Sequence, residues 1–448
     1  MTSLRLKTNY IHIIRFAIPI SVAMIIPQIN YIVNNIFLSR LGETELGTAG
    51  ITGVYYLIFS VIGSGFNSGL QSLLSRGAGQ ENKQIMGKLL AQALRVALML
   101  SVFGIVFTLL FSPRILDSQI HNSAVHDLAI SFIQIRIVGL PFLYLFQVGS
   151  SFLISSNNTR YLFFGTVAEA ISNIILDYLL IFGKFGFPEV GFMGAAYASV
   201  IAEFIGMVVV FSLLWYKKLP QEFRVFDHPK WSTEISVKIF NRSLPLIIQL
   251  LFSIVSWLLF YLWIEHLGER SLAISNTMRN AFGICGITIW AMAATSNNMV
   301  SNVIGQNQLN EVIPLIKRIC LLNFLFVLPQ VLFLNLFPQL FFSIFDPSSE
   351  FIHEAIPVLR IVTVAVLLMS QGSVWLNAIS GTGLTRINLS IEILTVVIYV
   401  VYVYYAVQIN TNTLIWTWAS EFFYWGVIII CSLLFFYKYP WKEKYIRE

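Results

Sequence analysis

Charge is what this chain lacks most. Only 11% of its 448 residues are Asp, Glu, Lys or Arg, against about 25% in a soluble globular protein, so there is too little polar surface to coat a water-soluble domain of this size. Cysteine is scarce as well. Cys285, Cys320 and Cys431 lie singly within apolar segments, which excludes a disulfide framework or a CxxC metal site and makes the three thiols packing residues. The histidines, at positions 12, 121, 126, 228, 266 and 353, fall near helix ends and loops without the spacing of metal ligands. No GxSxG elbow or comparable nucleophile setting occurs, so the chain is read as a non-enzyme without a cofactor. A phosphate loop is missing too. Gly63-Ser64-Gly65 with Gly69 sits inside an apolar run, where the GxxxG spacing of Gly65 and Gly69 serves close helix packing instead.

What is present is hydrophobic length. Hydrophobic residues make up 57% of the chain, and they recur in runs of about 20 residues or more, enough to cross about 30 Å of hydrocarbon as helices. Twelve such spans are read: 11–38, 46–74, 89–111, 128–151, 161–182, 191–216, 239–264, 272–302, 316–342, 352–379, 387–407 and 414–437. The expected fold is therefore an all-α polytopic membrane protein. The first span is too long for a signal-peptide core and is not followed by a small-residue cleavage site, so it is read as a retained helix.

The net charge of +6 does not point to nucleic acid, because Lys and Arg occupy short loops rather than a stripe interleaved with aromatics. Their distribution is orientational. Roughly twenty fall on the side of the polar connection 217–238 and about four on the other, which by the positive-inside rule places that connection and both termini in the cytoplasm. The expected location is the plasma (inner) membrane.

The spans are also duplicated. Pro19 and Pro245, Gly42 and Gly268, Gly79 and Gly305, and the Thr-Arg pairs beginning at Thr159 and Thr385 all stand 226 positions apart. Neighbours agree around them: Ser75 through Gln80 answers Ser301 through Gln306. One ancestral unit was copied with its helix and loop lengths kept. Six helices is an even number, so the two repeats enter from the same side and run parallel. The expected division is an N-lobe at 1–216, a linker at 217–238 and a C-lobe at 239–448.

An ionisable side chain inside the bilayer costs on the order of 2.5 kcal/mol or more to insert and calls for a partner, a cavity or a task. Glu169 and Asp177 lie in the fifth span, Glu203 in the sixth, Glu392 in the eleventh and Glu421 in the twelfth. Glu169, Asn173 and Asp177 follow i, i+4, i+8 and share one helix face, as do Ser199 and Glu203 on the next helix. At about 1.5 Å per residue, Asn34 and Asp177 lie about 6 to 7 Å from the outer end, and Ser199 and Asn173 about 12 to 13 Å. Glu203 and Glu169 come level at about 18 to 20 Å, where they can share a proton; Glu392 and Glu421 differ by about 12 Å and are not expected to pair. Arg136 and Arg360 suit salt bridges or snorkelling, and Arg279, beside Asn276 and Asn280, is the arginine placed to face a cavity. Pro27 breaks the repeat symmetry, standing opposite Ser253, and marks a candidate gating bend in the first helix.

Over essentially its whole length the chain resembles the multidrug and toxic compound extrusion (MATE) family. The segments carrying the resemblance are 16–19, 34–42, 69–79, Asn173 to Asp177 continuing to Gly183, and 191–199 with its Gly194-Ala195-Ala196. In the second copy they are Leu267-Gly268, 301–306 and Gly381 to Arg386. The resemblance implies two six-helix lobes around a central cavity, exporting amphipathic, often cationic compounds in exchange for Na⁺ or H⁺. It places the cation site of the N-lobe on Asp177, Asn173, Asn34 and Ser199. Asn34 stands where the family commonly has Asp, and Ser199 where it commonly has Thr. With a carboxylate fewer, H⁺ is favoured over Na⁺, with Glu169 and Glu203 as proton relay. Glu392, Glu421 and Arg279 remain as polar candidates of the C-lobe. The partners expected are an amphipathic small molecule and the bilayer, with the protein a monomer. The second reading is a lipid-linked saccharide flippase of the broader superfamily, whose anionic cargo wants a basic cavity.

Overall fold

The computed structural model describes residues 3–117, 120, 122–228, 230–343, 345, 348–409 and 414–443. Among them all regular structure is helical. The long helices of the first half are α1 (Tyr10–Ser39), α2 (Glu43–Gly79), α3 (Lys83–Asp117), α4 (Ser123–Ser155), α5 (Leu162–Phe182) and α6 (Phe192–Tyr216). The second half supplies α7 (Thr233–Glu265), α8 (Glu269–Gly305), α9 (Val312–Leu336), α10 (Ser349–Thr382), α11 (Thr385–Tyr404) and α12 (Ser420–Lys438).

Most of these helices outrun the apolar spans that announced them, because a helix carries its backbone hydrogen bonds past the hydrocarbon into polar end turns, whereas hydropathy marks only the lipid-facing stretch. Eleven are long and apolar enough to cross a membrane. The remaining one, α8, has full length, but Arg279, Asn276, Asn280, Asn297, Asn298 and Asn302 dilute its apolar character. Local breaks escaped the hydropathy pattern. A 3-10 turn at Ile137–Gly139 interrupts α4, a π turn at Tyr405–Ile409 ends α11, and the ninth span is divided into α9 and a short helix at Pro338–Phe342. α1 is one helix through both Pro19 and Pro27.

The outer faces are those of a bilayer-embedded protein. On α3, Met99, Val102, Phe103, Val106 and Leu110 are all exposed, at spacings of three and four that form one apolar stripe. The three thiols are free, with Cys285 and Cys320 buried, in keeping with packing roles.

Two compact units emerge. The first comprises Met1–Leu4 and Val22–Ile247, the second Arg5–Ser21 and Ile248–Glu448. The start of α1 thus clusters with the second unit and the start of α7 with the first. Within the first unit, Gly65 and Gly69 of α2 meet α7: a β-carbon on either would lie 2.7 Å from the α-carbon of Ile247 or Ser243. Ser243 Oγ donates to the Phe66 carbonyl across the same contact at 2.9 Å. The sequence reading of these glycines as packing residues is what the structure shows.

α5 and α6 approach still more closely. Gly194, Ala198, Ala202 and Gly206 follow one another every fourth residue and line one face of α6. A β-carbon at Gly194 would lie 2.8 Å from the Leu180 carbonyl, and one at Gly206 would lie 2.9 Å from Cβ of Glu169. Small residues let the backbones close in, as in membrane helix pairs generally. That closeness brings Ser199 against Asn173. At one end, Leu38, Ile181, Phe192 and Ala195 form a buried apolar plug with Phe37 and Phe182 packed on it.

Candidate functional site

The polar face of α5 lies inside the first unit rather than toward lipid. Asp177 is 0% exposed and Asn173 3%. The Asn173 amide can be turned either way. One orientation donates to Ser199 Oγ at 3.3 Å. The other donates to Asn30 Oδ1 at 2.9 Å and Asp177 Oδ2 at 3.2 Å while accepting from the Ser199 backbone N–H at 3.2 Å, which satisfies more of the neighbours. The remaining carboxylate oxygen, Asp177 Oδ1, is buried and has no hydrogen-bond partner. Among the described residues no Lys, Arg or His lies within ion-pair distance of it. A buried carboxylate in that setting either carries an uncompensated charge or holds a proton.

Three of the four residues expected at this site, Asp177, Asn173 and Ser199, come together. The α1 contribution is different. Asn30, one turn before Asn34, reaches Asn173, while Asn34 Oδ1 is buried without a partner. Both lie on one face of α1 by their i, i+4 spacing, so the sequence did carry a signal for Asn30.

Glu203 has a partner the sequence reading did not give it. Its carboxylate receives both guanidinium arms of Arg136, at 2.6 and 2.9 Å, and the Tyr56 hydroxyl at 3.0 Å. The Arg136 guanidinium also stacks 3.7 Å from the Tyr56 ring centroid. The side chains are 15% and 6% exposed, so this is a nearly buried bidentate ion pair. The break in α4 makes it fit: a side chain at Gly139, inside the 3-10 turn, would collide with both partners. Glu203 is therefore engaged with Arg136 rather than Glu169. Glu169, half-buried one turn before Asn173, makes no ion pair among the described residues. Tyr56 left no signal in the sequence, since tyrosines are common in such spans.

In the second unit Glu392 and Glu421 are 1% and 3% exposed. Each accepts a hydrogen bond from a tyrosine, Tyr424 and Tyr399 respectively, and not one from the other. Arg279 is exposed, with its guanidinium 5.7 Å from the Tyr261 ring centroid. Among the described residues no cluster of His, Cys, Asp and Glu could hold a metal ion.

Comparison with known proteins agrees with this architecture. A curated relative described as a probable multidrug resistance protein, YoeA of Bacillus subtilis (strain 168), is 22% identical over 97% of this chain and 94% of its own length. A probable multidrug resistance protein NorM of Thermotoga maritima is 21% identical over 83% of this chain and 80% of its own. A solved structure of a multidrug resistance MATE family transporter in an outward-facing conformation superposes with a TM-score of 0.85 at 19% identity, covering 100% of this chain and 98% of that one. At that identity the likeness establishes the fold. The MatE family model matches twice, over residues 19–179 and 245–405, the second match beginning 226 positions after the first. With both halves matched in the register of the internal repeat, the chain belongs to the MatE family of multi-pass membrane transporters.

Proposed function

We propose that this chain is a secondary active antiporter that exports amphipathic, cationic small molecules in exchange for H⁺ by alternating access, from the plasma membrane and with both termini cytoplasmic. The observation that carries the reading is Asp177: fully buried, held through one oxygen by Asn173, and without a countercharge. The description of YoeA as a probable multidrug resistance protein supports drug-like small molecules as the substrates, and their cationic, amphipathic character is part of the proposal. Na⁺ is the less favoured coupling ion because Asn30, Asn34, Asn173 and Ser199 offer neutral oxygens and only one carboxylate. The Arg136–Glu203 pair neutralises itself, which leaves Asp177, with Glu169 next along the helix, as the group able to change charge.

Coupling requires the ion to bind the two transport states differently. Deprotonated Asp177 favours the state in which a cation or water can reach it; protonation removes the charge and stabilises the arrangement in which the side chain is buried. Protonation from outside therefore drives release of substrate. Efflux of a fluorescent organic cation from proteoliposomes, under separately imposed pH and Na⁺ gradients, tests this. Asp177→Asn should lose gradient-driven efflux while eluting as a folded protein, and the pH gradient alone should drive the wild type. Efflux by the variant at the wild-type rate removes Asp177 from the mechanism.

A further inference from the structure

At one end of the first unit, the turn that opens α5 lies beside the turn that closes α6. Arg160 sits in the 3-10 turn Thr159–Tyr161, and Lys217 directly follows the last residue of α6. Each therefore stands where a membrane-crossing helix ends, and both line one cavity of about 210 Å³. Its floor is apolar. Leu4, Leu219 and Phe223 are buried there, with Phe223 packed edge to face on Phe152 at 5.0 Å.

The charge at the mouth is unbalanced. The Arg160 guanidinium lies 5.0 Å from the centroid of the Tyr161 ring, and the Lys217 ammonium lies 4.8 Å from the same centroid. Two cations are thus gathered around one ring, and no ion pair among the described residues includes either. Glu222, the carboxylate in the lining, is held by Lys83 at 2.7 Å instead. Like charges held side by side repel, and an anion seated between them reverses the sign of the interaction. A guanidinium fork beside a compact ammonium suits phosphate.

The surroundings select the kind of phosphate. Along α5, Tyr161 meets Phe164 with ring centroids 6.5 Å apart, and Phe163 and Phe164 are exposed on the membrane-crossing stretch. Beside Lys217, Trp215 and Tyr216 are exposed as well, with Trp215 edge to face on Phe226. Tyr and Trp at a helix end mark the level of the headgroups. A free anion gains nothing from that apolar surface, whereas acyl chains do. The second repeat lacks the arrangement: 226 positions on, Arg386 answers Arg160, but Ile387 answers Tyr161 and Glu443 answers Lys217.

We propose that this cavity binds the phosphate headgroup of an anionic phospholipid, with Arg160 and Lys217 on the phosphate and the acyl chains along Phe163 and Phe164. A zwitterionic lipid is disfavoured, because its ammonium comes to lie against two cations. In the orientation proposed above, the leaflet is the cytoplasmic one, whose surface is negative. That choice of leaflet rests on the proposed topology; the headgroup site does not.

Native mass spectrometry of the full chain, released from micelles containing phosphatidylglycerol or phosphatidylcholine, tests the site. It involves no transport, so its failure and that of the antiport reading are distinguishable. Wild type should retain phosphatidylglycerol in preference to phosphatidylcholine. The double variant Arg160→Gln, Lys217→Gln should bind phosphatidylglycerol about thirtyfold less tightly, whereas Arg386→Gln should match the wild type. Inorganic phosphate added at millimolar concentration should leave the lipid bound; displacement would make this a site for a free anion and overturns the lipid assignment. Equal retention of the two lipids, or wild-type affinity in the double variant, overturns the proposal as well. Should the double variant fail to fold, Lys217→Glu, which puts the charge of the second repeat at that position, should lose the preference for phosphatidylglycerol, and an unchanged preference overturns the proposal equally.

Discussion

Arg136 shows what a single charge demands inside the membrane region. Its bond to Glu203 is bidentate, nearly buried and backed by the Tyr56 ring, and removing one partner of such a pair strands the other as an uncompensated charge at a cost of about 3 to 5 kcal/mol. Arg136→Gln is therefore expected to lower the thermal midpoint of the detergent-purified protein sharply. The double variant Arg136→Gln, Glu203→Gln, which leaves two neutral amides that can bond each other, should recover most of the loss. A double variant no more stable than Arg136→Gln alone would mean that the stabilisation lies in the stacking on Tyr56 rather than in charge pairing. The sequence showed that Arg136 and Glu203 each needed a partner, because any charge in an apolar span does. It could not show that they needed each other, since the match depends on Gly139 and the 3-10 turn, which bring a residue of α4 beside one of α6 across 67 positions of chain.

Among elements, the α5–α6 pair carries the site, and its spacing was legible. Four small residues every fourth position on α6 give a flat face, so Asn173 of α5 meets Ser199 of α6. Gly194 is the position least able to accept a side chain, because a β-carbon there meets backbone of α5 at 2.8 Å and backbone has no rotamer to yield. Gly194→Val should cost about 1 to 3 kcal/mol through overpacking, together with the Asn173–Ser199 contact. Gly283→Ala, with nothing within 4 Å of its added carbon, should instead leave stability unchanged or raise it by about 1 kcal/mol, as for an ordinary mid-helix glycine. Thermal unfolding of both variants checks the contrast; equal destabilisation would deny the close approach at Gly194. What hydropathy did not reveal were the interruptions in α4 and after α11, because turns of 3-10 or π geometry keep the same apolar residues and change only the hydrogen-bond register.

At the scale of the whole molecule the duplication preserved the helix frame and let the charges drift. The boundary between the compact units falls after Ser21 in the first repeat and after Ile247 in the second, again 226 positions apart, so even the passage of α1 and α7 from one unit to the other was copied. This frame was readable from glycines and prolines, whose backbone tasks pin them in place. The acids were not readable in the same way: Asp177 answers to Val403 and Glu421 to Ala195, and no repeat argument alone could say that Tyr399 would hold a carboxylate where Asn173 holds another. If Asp177 is the acid that loads the proton, its charge sets how a pH gradient is converted into a substrate gradient. The coupling can be read as the pH gradient needed to hold a fixed substrate gradient at zero net flux in proteoliposomes. In Asp177→Asn no pH gradient should balance the substrate gradient, whereas Gly283→Ala, whose added carbon meets nothing within 4 Å, should balance at the wild-type value. A balance point in Asp177→Asn identical to the wild type would show that the proton is carried elsewhere in the molecule.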